Sequence, residues 1–112
     1  ELELGFQDIE LLKVGWNSYN AKAPKLETIN QAKDICKSLP FSNQPSISPE
    51  TDGSIGLYWD FQNVTITWYI NSDTSNDIIN VEFIDGRTIE LNGEFESLKN
   101  ILSKIISDYR DN

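Results

Sequence analysis

Between Ser54 and Leu91 the apolar side chains fall on every second residue. In SIGLYWDF, Ile55, Leu57, Trp59 and Phe61 alternate with Gly56, Tyr58 and Asp60, and in VTITWYI, Val64, Ile66, Trp68 and Ile70 alternate with Thr65, Thr67 and Tyr69. Period two is the repeat of a strand, in which successive side chains leave opposite faces. A strand with one apolar face must cover that face and can leave the other in water. The stretch therefore predicts an antiparallel sheet with one dry and one wet side. Its first two strands make a hairpin around Gln62-Asn63. A third follows, with Ile79, Val81 and Phe83 set against Asn80 and Glu82. Asp85-Gly86 is a two-residue turn signal, Thr88 to Leu91 reads as the returning fourth strand, and Asn92-Gly93 ends the sheet.

Outside this stretch the period changes to that of a helix. Phe6, Ile9 and Leu12 predict a short first helix over residues 6–14. After Pro24, the stripe Leu26, Ile29, Ala32, Ile35 and Leu39 predicts a second helix that stops before Pro40. In the last segment Phe95, Leu98, Ile101, Leu102, Ile105, Ile106 and Tyr109 share one broad face, with Glu96, Lys99, Asn100, Lys104 and Asp108 opposite. Residues 40–53 hold three of the four prolines and read as a loop, with a short extended piece at Ser46 to Ser48. The expected architecture is a single α+β domain over residues 1–112, in two layers. A four-stranded antiparallel sheet carries helices on one face, in the order α-α-β-β-β-β-α.

The composition then removes classes of chemistry. The chain has no histidine, so it holds no Ser/His/Asp or Cys/His system, no imidazole shuttle and no histidine metal ligand. One cysteine, Cys36, rules out an internal disulfide and a structural zinc site, and suggests the cytoplasm. The six glycines are scattered and form no phosphate loop. No apolar run reaches the roughly 20 residues of a membrane span. The expectation is a protein that is not an enzyme and needs neither cofactor nor metal. Eighteen acids against nine bases give a net charge of −9, which repels phosphate backbones and anionic membranes and attracts basic protein surfaces.

The wet sheet face is the candidate binding surface. It carries Tyr58, Asp60, Thr65, Thr67, Tyr69, Glu82 and Glu90. Thr, Tyr and Glu also serve simply as strand formers on a half-solvated sheet. Against that plain reading, Tyr58 and Tyr69 are amphipathic anchors of the type used at interfaces, and the acids around them suit a basic protein partner. A related reading is an inhibitor that displays carboxylates where nucleic acid displays phosphates. An antitoxin or immunity protein that neutralises a basic toxin is a third. A further motif, Asn71 to Glu82, places Asp73, Ser75, Asp77 and Glu82 at the spacing of an EF-hand loop, but Asn71 and Asn76 stand where Asp and Gly are expected. A polar hairpin loop explains the same residues without calcium.

In GWNSYNAKAP, Trp16 and Tyr19 lie among turn formers. The simpler account folds both rings back on the core edge, and the rival is an exposed ligand site. Gly15-Trp16-Asn17-Ser18-Tyr19 with Ala21 and Pro24, then Pro45, Ser48-Pro49, Asp52-Gly53, Ile55, Leu57 and Trp59, resembles a set of uncharacterised small bacterial and phage-borne proteins. In that set GW(D/N)(G/S)YxAxxP precedes a helix and Px(I/V)SPxxDGx(I/L)xLxW enters the sheet. Asn17 and Ser18 stand where Asp and Gly are usual. The resemblance brings no assigned activity. It implies an accessory protein of a mobile element that acts by binding another protein.

Overall fold

Among the described residues five antiparallel strands form one sheet in chain order: β1 (Ser46–Pro49), β2 (Ile55–Asp60), β3 (Val64–Ile70), β4 (Asn76–Phe83) and β5 (Thr88–Glu94). Two helices, α1 (Leu26–Ser38) and α2 (Phe95–Tyr109), flank this sheet in sequence, and a 3-10 turn at Phe41–Asn43 links α1 to β1. The computed structural model describes residues 22–71 and 76–110. The helix expected over residues 6–14 and the aromatic pair Trp16 and Tyr19 lie outside the described residues, as do Asp73 and Ser75.

The α+β class and the antiparallel sheet follow the alternation, with two corrections. The sheet has five strands instead of four, because Ser46–Pro49 pairs with β2 along its whole length, Ser46 opposite Tyr58 and Pro49 opposite Ile55. The fourth expected strand continues past Leu91 to Glu94, since Asn92 and Gly93 pair with Ile78 and Asp77 instead of turning away. Two of the tight hairpin loops use the same device. In Thr51-Asp52-Gly53 and Ile84-Asp85-Gly86 the glycine has positive φ, 89° and 93°, which only glycine adopts without strain. Each aspartate accepts from the amide two residues on, Asp52 from Ser54 at 2.9 Å and Asp85 from Arg87 at 3.1 Å. The loops are closed by backbone bonds from Glu50 to Ser54 and from Phe83 to Arg87.

The core lies between the sheet and the two helices. Ile55, Leu57, Trp59, Ile66, Trp68, Ile70, Ile79 and Val81 point into it from the strands. Ile29, Ala32, Ile35 and Cys36 of α1 and Leu98, Leu102, Ile105 and Ile106 of α2 meet them from the other side. Ile101 departs from the expected apolar face and is 41% exposed, because it sits at the margin of the α2 stripe. Gln44 closes the end of α1 by donating to the carbonyl of Cys36 at 2.7 Å, which also accepts from the Leu39 amide, and to that of Leu39 at 2.9 Å. Among the described residues no helix is long and apolar enough to cross a membrane.

Candidate functional site: the open sheet face

Both described helices pack on the face that carries Trp59 and Trp68, so neither of them covers the opposite face. Strand register decides which side chains share it. Tyr58 lies opposite Thr67, Thr67 opposite Asn80, and Asn80 opposite Glu90, which makes one row across four strands. Asp60, Thr65, Glu82 and Thr88 make a second row, and Gly56, Tyr69, Ile78 and Asn92 a third. All seven residues expected on the wet side, Tyr58, Asp60, Thr65, Thr67, Tyr69, Glu82 and Glu90, are therefore on one face.

They are not equally available. Asp60, Glu82 and Glu90 are exposed, and Tyr58, Thr65 and Tyr69 are half-buried. Thr67 is only 7% exposed, which corrects the expectation that it offers a contact. It stands on the central strand with Tyr58 directly opposite and Tyr69 two residues on, so it forms the floor between two large rings.

The two tyrosines form a braced unit. Their rings meet edge to face with centroids 6.2 Å apart. The Tyr58 hydroxyl donates to Glu50 Oε1 at 2.6 Å, a contact made possible because the β1–β2 turn returns Glu50 to the same side of the sheet. Burial first, then the bonds to Glu50 and to the Tyr69 phenol, push the Tyr58 phenol well above the ordinary tyrosine range. Gly56 makes room for this arrangement. A Cβ there would stand 2.8 Å from the Tyr58 hydroxyl and 2.9 Å from Glu50 Oε1. Gly56→Ala should push the Tyr58 ring aside and break its bond to Glu50. Stability should change by less than about 1 kcal/mol, because only side-chain ends must move and Ala is the better strand residue. Ultraviolet titration of the phenols should then show one tyrosine ionising at lower pH than in the parent protein. An unchanged titration curve would mean that Tyr58 is not held this way.

Smaller bonds organise the acids. Thr65 donates to Asp60 at 3.0 Å, and the Asn92 amide donates to Glu90 at 3.1 Å. Glu50 was not legible as a site residue from its position in a Pro/Ser-rich loop. The signal that finds it is the Asp52-Gly53 turn, which folds the preceding segment back beside β2. The EF-hand spacing does not converge on one point: Asp77 faces the core, where its carboxylate accepts from Trp68 Nε1 at 3.0 Å and from the Asn71 amide at 3.1 Å, while Glu82 lies on the open face. Among the described residues no three acids or cysteines group as metal ligands would. The chain matches no protein-family model, no curated protein and no solved structure.

Proposed function

We propose that the chain is a non-enzymatic protein-binding or regulatory module that docks a partner with a basic surface on the open face of its sheet. One observation carries this reading: the five described strands contain no lysine or arginine, while Glu50, Asp60, Glu82, Glu90 and Glu94 lie on the face that carries the Tyr58–Tyr69 pair. The described bases lie outside the strands. Lys33 and Lys37 are on α1 and Lys99 and Lys104 on α2, Lys22 and Lys25 precede α1, Arg87 is in a turn and Arg110 follows α2. A face whose charged strand residues are all acidic steers a basic partner toward it and repels phosphate backbones. Tyr58, already fixed by Glu50, Tyr69 and Gly56, has little rotamer freedom left to lose on binding.

Affinity capture from the native host, with mass spectrometry of the captured proteins, tests the proposal. A specific basic partner should be retained by the parent protein and lost as salt rises from about 0.1 to 0.5 M, where exposed charges are screened. Tyr58→Ala with Tyr69→Ala should weaken its retention by about tenfold or more, since each ring is a candidate hot spot. Capture of the same partner by the double variant would dismiss the sheet face.

The gathering of five carboxylates on one face also favours a second reading, an inhibitor that imitates nucleic acid. It differs in one outcome: duplex DNA would then displace the captured partner. An antitoxin or immunity protein would instead hold one dedicated toxin against that competition. All three roles fit an accessory protein of a phage or mobile element that acts in the cytoplasm.

A further inference from the structure

We infer that the outer edge of β5 takes an extended segment of the partner protein as a sixth strand, with side chains alternating between basic and apolar. The inference rests on the proposed basic protein partner and specifies how that partner docks.

The two edges of the sheet differ. β1 has four residues, and Pro49 has no N–H to offer a neighbour. Ladder bonds alternate along an antiparallel pair. The bond between Glu50 and Ser54 therefore sets Pro49 among the residues whose backbone groups point outward. β5 has seven residues and no proline. The bond from the Phe83 amide to the Arg87 carbonyl puts Ile89, Leu91 and Gly93 in register to bond β4. The N–H and C=O groups of Thr88, Glu90 and Asn92 then point away from the sheet. An edge with neither lysine, proline nor an inward charge is one that another strand can extend.

The side chains of β5 specify the occupant. On the core side Ile89 and Leu91 are only half-buried, whereas every core-facing residue of β2 and β3 is buried. Beside Ile89, Phe83, Ile84 and Tyr109 line an apolar groove, with Ile84 77% exposed. A strand laid along β5 would cover this margin with its own apolar residues. On the other side Glu90 and Glu94 are exposed, Glu90 diagonal to Glu82 across the β4–β5 pair, and they call for cations at the alternate positions. Arg87, which also lines this groove with its guanidinium over the Phe83 ring, is paired with Asp85 at 2.9 Å. A second copy of the chain is a poor occupant, because pairing β5 with itself sets Glu90 and Glu94 of both copies on one surface.

The test uses the full chain and a peptide of alternating lysine and valine, about the length of β5. A peptide of the same composition with its lysines and valines in separate blocks is the control. By fluorescence anisotropy the alternating peptide should bind about tenfold tighter than the control, with NMR shifts at the amides of Thr88, Glu90 and Asn92. Asn92→Pro, which removes an outward N–H at constant charge, should weaken binding by about tenfold. Glu90→Lys, a surface change that leaves the fold intact, should do the same. Tyr58→Ala with Tyr69→Ala should leave peptide affinity within about twofold.

Equal binding of the two peptides, or shifts confined to the open face around Tyr58 and Tyr69, would overturn the inference. So would sedimentation showing that the chain dimerises through β5 without peptide. Peptide binding lost with the tyrosines but indifferent to Asn92→Pro and Glu90→Lys would dismiss the edge and leave the sheet-face reading standing. Host-partner capture lost with Asn92→Pro and Glu90→Lys but not with the tyrosines would uphold the edge and dismiss the face.

Discussion

Trp68→Ala should lower the free energy of unfolding by about 3–5 kcal/mol, a third or more of what a domain of this size commonly has. Trp68 is fully buried on the central strand, between Leu57 of β2 and Ile79 of β4, and its ring lies 5.7 Å from that of Phe95 at the start of α2. Truncation leaves a hole walled by strands hydrogen-bonded on both sides, which can relax little. It also takes from the Asp77 carboxylate the indole N–H that it accepts inside the core. Trp68→Phe weights the second effect, since it keeps most of the ring volume while removing the indole N–H. Its cost should be near 1–2 kcal/mol. Urea unfolding with unchanged m-values is the measurement. A loss below about 1 kcal/mol for Trp68→Ala would mean that this ring does not anchor the core.

Much of this architecture could be read from residue periodicity. The apolar alternation of β2 and β3 and the helical stripe from Leu98 to Ile106 report burial directly, because each element has one dry side. β1 was legible only as a short extended piece at Ser46 to Ser48 and not as a strand of the sheet, for a physical reason. It is four residues of Ser, Ile and Pro at a sheet edge, too short for a period, with only Ile47 and Pro49 on its core side. The better signal was the turn. Thr51-Asp52-Gly53 repeats the chemistry of Ile84-Asp85-Gly86, and an Asp-Gly loop ahead of an alternating strand marks a hairpin with a strand on both sides. The wet face was legible as a list of residues, but not its internal order. The Tyr58–Glu50 bond and the burial of Thr67 depend on which residues face each other across strands, and alternation within a single strand does not specify register.

Asp77 was the residue whose local surroundings misled most, for its polar neighbours suggest a solvated loop while its carboxylate is in the core. Asp77→Ala should cost about 1–3 kcal/mol at neutral pH, chiefly because Trp68 Nε1 loses its acceptor where no water replaces it. The cost is moderated because the variant no longer buries a carboxylate. Burial raises the Asp77 pKa from its ordinary 3.8, and the bonds from Asn71 and Trp68 oppose the rise without cancelling it. The folded chain therefore holds this proton more tightly than the unfolded chain. From neutral pH down through the folded value toward 3.8, proton uptake by Asp77 adds stability, whereas at higher pH the penalty for its buried charge is fully present. Acidification also relieves the repulsion of a chain with net charge −9, so the pH profile of the parent protein alone does not isolate Asp77. The difference between parent and Asp77→Ala does, because the surface charges are common to both. That difference should widen as the pH falls from 7 toward about 4. A gap that stays constant or narrows would show that the carboxylate is better solvated than its position between Trp68 and Asn71 allows.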